Sequence, residues 1–233
     1  MAVSKEKWKV YKNVFSSFSL RTLFTLASQG HFIELKSPIS IGKEANIYSA
    51  ETNEGNLVVV KIYRLENCNF NKMKEYLRLD NRYHGKKFTS RGTVFNWVQR
   101  EYRNLLLSRD AVPVPIPLAF KNNVLVMEFI GSDGKAAPML KDAEIRDPEK
   151  TFEKIMENVC KLWKQGLVHG DLSEFNILLH KNVPVFIDFS QATPTKNSFA
   201  LELLDRDILN ICSFFSKRGV KTNKEKEKEK VLS

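Results

Sequence analysis

Two carboxylates and one amide in this sequence stand at a spacing that suits phosphoryl transfer. Asp171 and Asn176 lie five residues apart in His169-Gly170-Asp171-Leu172-Ser173-Glu174-Phe175-Asn176. After Ile177-Leu178-Leu179 and a turn, Asp188 follows in Phe186-Ile187-Asp188-Phe189-Ser190. Phosphoryl transfer asks little covalent chemistry of a protein. It needs charge around a triphosphate, a metal clamp and an acceptor for the nucleophile's proton. An Asp on a tight loop can be that acceptor, and an Asn five residues on can offer its amide oxygen to Mg2+. Asp188, at the end of the following strand, adds a further oxygen for a hard cation. A lone loop Asp is usually a turn or cap residue, but the ordered combination is far rarer than any one part of it. His169 reads as architectural, orienting the loop backbone.

A cation stands earlier, in Val59-Val60-Lys61-Ile62, where an unpaired charge inside an apolar strand would be costly. Glu101, in Gln99-Arg100-Glu101-Tyr102, is the best-placed partner downstream. Taken alone, Lys61 reads equally as an edge-strand lysine that snorkels. Ahead of it, Ser40 to Tyr48 holds the position of a phosphate loop with one glycine, Gly42, instead of three, so close backbone approach is less free. Lys43 and the Ser40 hydroxyl are candidates to touch phosphate, with plain solvent exposure as the alternative. Beyond Met127, Glu128 and Ile130 are placed to offer backbone carbonyl and amide groups to adenine.

The elements that must position these residues follow from periodicity. Leu20, Leu23, Phe24 and Ala27 predict an N-terminal helix after a Ser19 cap, stopped by Gly30. Residues 41–50 and 57–63 read as strands joined by a turn at 53–55. From 67 to 97 the chain is polar and basic, with Arg78, Arg82, Lys86, Lys87 and Arg91 around Gly85 and Gly92, and reads as a mobile loop. A helix resumes near Val98 and runs to about Arg109. Pro113, Pro115 and Pro117 mark an extended connector, followed by a buried strand at 124–129. Asp147 and Pro148 cap a helix whose apolar face runs from Phe152 to Trp163 before Gly166, and another helix spans 200–215. The alternating Lys and Glu of 224–230 show no apolar face and read as a solvated tail.

With 42% hydrophobic residues and 16 Phe in 233, the chain can bury a sizeable core. Its net charge of +10 favours a polyanionic partner. No apolar stretch approaches the roughly 18 residues of a membrane span, and Met1 to Val10 lack the apolar core of a signal peptide, so a soluble cytoplasmic protein without a membrane partner is expected. Cys68, Cys160 and Cys212 form no paired motif and read as reduced structural thiols.

Leu26 to Gly30, Gly42 to Tyr48, Met127 to Gly131, His169 to Leu178, Ile187 to Gln191 and Leu204-Asp205-Arg206-Asp207 resemble, in that order, the RIO family of atypical protein kinases and specifically its first subfamily. The second subfamily carries a winged-helix domain for which the hairpin here begins too early. The resemblance implies an α+β, reduced bilobal protein-kinase-like fold with an extra N-terminal helix, lacking the usual activation segment and peptide-substrate lobe. No Ala-Pro-Glu follows Asp188. It divides the chain into an N-terminal helical extension (1–38), a kinase N-lobe (39–130) containing the flexible basic loop at about 67–97, a C-lobe (131–219) and a charged disordered tail (220–233).

By the same resemblance, Asp171 and Asp188 are catalytic, Asn176 and Asp188 hold Mg2+ or Mn2+, and Lys61, Glu128 and Ile130 contact ATP. Ser40-Ile41-Gly42 departs from the family's Ser-Thr-Gly at the phosphate loop. The family works in maturation of the small ribosomal subunit, so a precursor particle is the implied partner of a serine/threonine kinase or ATPase. The short termini resemble archaeal members. Two other functions compete. A small-molecule phosphotransferase also uses His-Gly-Asp with a later Asn, but its substrate lobe normally extends well beyond the metal Asp. A non-catalytic RNA-bound scaffold would show loss of the Lys, the acceptor Asp or the metal Asp, and all three are present.

Overall fold

The computed structural model describes residues 15–66, 68–83, 85 and 88–233. The chain divides into two compact units, Met1–Tyr102 with Ile116–Phe129, and Arg103–Pro115 with Ile130–Ser233. In the first, β1 (Glu34–Ile41), β2 (Ala45–Glu51), β3 (Leu57–Tyr63), β4 (Pro117–Lys121) and β5 (Val124–Glu128) form an antiparallel sheet in the order β1-β2-β3-β5-β4. Gly42 N bonds Ala45 O at 3.0 Å, and this turn splits the single strand expected over 41–50 into the ends of β1 and β2. Pro38 is tolerated because β1 is an edge strand, with register irregularities on either side of it.

Helix α1 (Ser17–Ser28) covers one face of this sheet. Leu23, Leu26 and Ala27 pack there with Val58, Val60, Ile62, Val124 and Val126. Its cap is Ser16, whose hydroxyl accepts from Ser19 N at 3.2 Å, so the expected Ser19 cap is displaced by one turn. Ser19 lies inside the first turn and is itself buried. Alternation along β3 then sends Lys61 and Tyr63 to the face opposite α1, which is what positions the first half of the site.

Much of the stretch read as a basic loop over 67–97 is helical. Helix α2 (Phe70–Arg78) is capped by Asn69, a 3-10 turn covers Asn81–Tyr83, and α3 (Ser90–Ser108) begins eight residues before Val98. Met73, Leu77, Tyr83, Val94, Trp97 and Val98 are buried, an apolar face diluted in sequence by the arginines between its members. Those arginines are partly neutralised within the fold. Asp80, 2% exposed, holds Arg82 at 2.6 Å and lies 3.7 Å from Arg100, which is 1% exposed and donates to Tyr76 O. Burial works against the Asp80 charge, yet the Arg82 hydrogen bond and both guanidiniums hold its carboxyl below the usual value. Lys86 and Lys87 lie outside the described residues.

The second unit is built on α4 (Pro148–Lys164), α5 (Ala200–Ser216) and α6 (Lys224–Leu232), with short ladders β6 (Gly131–Ser132) with β7 (Lys135–Ala136), β8 (Leu167–Val168) with β11 (Thr193–Pro194), and the hairpin β9 (Ile177–His180) with β10 (Val183–Phe186). Asp147 caps α4 through Lys150 N at 3.0 Å, and Pro148 takes the first helical position, where its missing N–H costs nothing. The tail expected to be disordered is α6, packed against α4 and α5. Asn223 caps it through Lys226 N, Val231 is buried, and Lys228 meets Asp205 at 2.9 Å. Its single strong apolar anchor on that face gives no period a sequence window can detect.

Candidate functional site

In the first unit, Lys61 Nζ lies 2.7 Å from Glu101 Oε1, with the two side chains 6% and 1% exposed. Residues β3 and α3 bring them together across 40 positions of sequence. Tyr63, two residues along the same strand face, donates its hydroxyl to Glu101 Oε2 at 2.6 Å. Ser40 pairs in register with Ile47, and Ile47 with Lys61, so one strand separates Ser40 from the lysine. Lys43 is exposed in the turn after β1. Glu128, at the end of β5, exchanges contacts with Ile116: its amide donates to Ile116 O and its carboxylate accepts from Ile116 N.

In the second unit, β8 ends at Val168 and the chain turns sharply through His169 and Gly170. Gly170 has φ +76, and a Cβ there would stand 3.0 Å from Gln191 O, so the tight turn requires glycine. Asp207 of α5, 1% exposed, accepts from Gly170 N at 2.7 Å and from Leu172 N at 2.8 Å, which fixes the backbone on both sides of Asp171. Arg206 donates to Gly170 O, and Asn210 to Leu172 O. Three side chains of one helix therefore hold the loop. Asn176 Nδ2 donates to Asp171 O at 2.8 Å and stands 3.4 Å from Asp171 Oδ2.

The hairpin carries the chain to the third residue. Ile187 N bonds Asn176 O at 3.0 Å, closing the base of β9–β10 so that Asn176 and Asp188 leave it side by side in the backbone. Asp188 has φ 62 and ψ 65, a left-handed conformation that Asp tolerates better than most residues with a Cβ. Ser190 donates to its Oδ1 at 2.7 Å. Asn104, fully buried, donates to Phe189 O and Ala192 O and so fixes the turn that follows. His169 Nε2 donates to Ile187 O at 3.0 Å, with its ring edge-on to Phe189. Its Nδ1 is buried without a hydrogen bond, and burial lowers the ring to about 4, so it is neutral at pH 7. Ile130 O accepts from Ala137 N.

The structure thus joins Lys61 with Glu101, and Asp171 with Asn176 and the Asp188 turn. Tyr63, Asp207, Arg206, Asn210, Asn104 and Ser190 are additions that sequence reading assigned no role. Arg206 and Asp207 carried a signal there within the Leu204 to Asp207 resemblance, and Ser190 within that of Ile187 to Gln191. Among the described residues no cluster of three or more His, Cys, Asp or Glu is placed to hold a metal by itself. Mg2+ is commonly held by one or two carboxylates, with substrate phosphates and waters completing its octahedron. Asn176 and Asp188 fit a cation that arrives with a nucleotide. No helix among the described residues is long and apolar enough to cross a membrane.

An antiparallel five-stranded sheet bearing a buried Lys–Glu pair, and a helical unit with an Asp-x-x-x-x-Asn loop and a hairpin ending in Asp, define a protein-kinase-like fold. It is a reduced one: a 3-10 turn and β11 are the only elements between Asp188 and the start of α5 at Ala200. The RIO domain family matches residues 46–229. Among similar proteins are the RIO-type serine/threonine-protein kinases Rio1 of Methanocaldococcus jannaschii, 41% identical over 94% of this chain and 75% of that protein, and of Haloferax volcanii, 36% identical over 92% and 74%. The Rio2 kinase of Chaetomium thermophilum, solved as an ADP/Mg2+–phosphoaspartate complex, matches with TM-score 0.71 and 26% identity, covering 92% of this chain and 66% of its own. The chain belongs to the RIO family and is a Rio1-type serine/threonine protein kinase.

Proposed function

We propose that this kinase uses ATP with Mg2+, and that Lys61, Asp171, Asn176 and Asp188 carry the transfer. The buried Lys61–Glu101 pair at 2.7 Å is the observation that carries the reading, because a lysine committed to a carboxylate in an apolar strand is the arrangement kinases use to hold α and β phosphates. Asp171 accepts the proton of the attacking hydroxyl. Asn176 spends its NH2 group on Asp171 O, which turns its Oδ1 toward a cation, and Asp188 provides the second oxygen. Mg2+ would neutralise charge developing on the phosphates. Glu128 and Ile130 hold adenine by backbone groups, and Ser40 and Lys43, within the phosphate loop, are the candidates to touch phosphate. Purified Asp171→Ala with near-normal ATP turnover would sink this assignment.

The phosphoaspartate in the related Rio2 structure favours a second course at the same residues. The γ-phosphoryl bond to ADP breaks as a bond to an Asp carboxylate oxygen forms, and water then releases phosphate, making the enzyme an ATPase. Asp171 and Asp188 are the candidates. Acid quench during turnover, followed by mass spectrometry, reads which one gains the phosphoryl group.

The partner we propose is a precursor of the small ribosomal subunit, supported by the net charge of +10 and the family resemblance. Arg82 is held by Asp80, so Arg78, Arg91, Lys86 and Lys87 are the better contact candidates. Their replacement by Ala should weaken particle binding and flatten its salt dependence, leaving ATP turnover without particles unchanged.

A further inference from the structure

Glu101 presents two oxygens in an environment that is 0% exposed, and Lys61 Nζ lies against one of them, Oε1, at 2.7 Å. A buried carboxylate left half-paired is strongly destabilised. The second oxygen is taken by Tyr63, at 2.6 Å. The same tyrosine also touches the cation, since Lys61 Nζ stands 5.0 Å from the centroid of its ring. Tyr63 therefore contacts both members of the pair, its hydroxyl on the anion and its ring beside the ammonium.

Its own position is fixed from behind. Tyr63 N donates to Asn123 O at 2.8 Å, and Asn123 Nδ2 donates back to Tyr63 O at 2.7 Å. Asn123, fully buried, also donates to Ser19 of α1 at 2.9 Å, and the neighbouring Asn122 donates to Thr22 at 3.0 Å. A chain of hydrogen bonds thus runs from α1 through the β4–β5 turn to Tyr63 and ends on Glu101. With only 2% of its surface exposed, Tyr63 has little room for another rotamer.

We infer that Tyr63 is a positioning residue for nucleotide binding, holding Glu101 in the one orientation that sets the Lys61 ammonium. The inference rests on the reading of Lys61 as the phosphate-binding cation. Nothing in it requires Tyr63 to touch ATP. Its effect passes through Glu101, and this gives a signature that a merely structural tyrosine would lack: the hydroxyl matters only while Glu101 carries its charge.

The test is a double-mutant cycle on the full chain, with ATP turnover measured against ATP concentration at saturating Mg2+ for the unmodified protein, Tyr63→Phe, Glu101→Gln, the double variant and Lys61→Ala. Tyr63→Phe keeps the ring and should raise KM for ATP about five- to tenfold with kcat changed less than about twofold. In the Glu101→Gln background the same change should add less than about twofold. Unchanged KM in Tyr63→Phe, alongside impaired Lys61→Ala, overturns the inference and leaves the proposed role of Lys61 standing. An equal effect of Tyr63→Phe in both backgrounds also overturns it, since the hydroxyl would then act elsewhere. Normal KM and kcat in Lys61→Ala would remove the underlying reading itself. Thermal melts separate folding from affinity. Should Tyr63→Phe prove too unstable to assay, Asn123→Ser loosens the backbone clamp while keeping the phenol, and a KM raised by less than about twofold there overturns the inference.

Discussion

Glu101 in the first unit and Asp207 in the second are acids of nearly equal burial, 0% and 1% exposed, with opposite kinds of partner. Glu101 meets a full positive charge at 2.7 Å and a phenol. Asp207 meets two backbone amides, while the arginine beside it, Arg206, turns to Gly170 O. Burial pushes the Asp207 carboxyl up to about 7 against those two hydrogen bonds, which favour the ionised form. The first acid fixes the Lys61 side chain, which we propose meets phosphate. The second fixes a stretch of main chain on both sides of Asp171, whose own carbonyl is held by Asn176. A buried carboxylate can therefore serve a kinase site either as a counter-ion or as a template for a loop.

Removing the cation from the first acid should have the largest effect. Lys61→Ala removes the ammonium that Glu101 meets at 2.7 Å, and we expect a loss of about 3 to 5 kcal/mol of stability together with weakened ATP use. Urea denaturation and nucleotide titration measure the two. A stability loss under about 1 kcal/mol would mean that the pair is not electrostatically committed, and the contrast with Asp207 would collapse.

The second expectation concerns pH, in buffer free of nucleotide and magnesium. His169 has its folded value lowered from 6.5 to about 4 by burial, so the unfolded chain binds more protons between those limits and stability rises with pH there. Asp207 is raised from 3.8 to about 7, so the folded protein binds the extra proton, and its contribution is full below 3.8 and lost as pH rises to about 7. Between pH 4 and 6.5 the two oppose each other. Asp207→Asn should uncover the His169 limb, stability rising by about 3 kcal/mol over that window relative to the unmodified protein, and His169→Asn should tilt the curve the other way. Parallel curves for all three proteins would show that neither group titrates as its burial requires.

Next come the two carboxylates proposed to react. Asp171→Ala and Asp188→Ala should each lower turnover by about 10²-fold or more with a melting temperature close to normal, because both side chains sit at loop or strand ends outside the core. The smallest effect is that of the template. Asp207→Asn keeps the size of the side chain but loses one acceptor, and kcat should fall by about tenfold with KM for ATP little changed, since the loop is loosened around Asp171 and not around Lys61. A KM effect as large as that of Lys61→Ala would show that the two acids do the same work.

Local sequence determined a good part of this protein. The Asp147-Pro148 start of α4, the alternation of β3 that turns Lys61 away from Val60 and Ile62, and the Asp171 to Asn176 spacing are all written in neighbouring residues, because caps, pleats and tight turns depend on a few positions each. The Glu101 partner was legible too, since a buried lysine demands an acid and a kinase pairs that lysine with a glutamate on a following helix. Charge patterning misled in two places. Residues 70–78 and 90–97 looked like loop and 224–232 like tail, yet each is a helix whose few apolar anchors find their complement in distant chain. Asp207 on Gly170, Asn104 on Phe189 and Tyr63 on Glu101 lie beyond what any window reads, the partners standing 37, 85 and 38 positions apart. Only packing brings such groups together. Once buried, each must find a hydrogen bond or forfeit its desolvation energy, and so the tertiary structure, not the motif, decides how rigidly the motif is held.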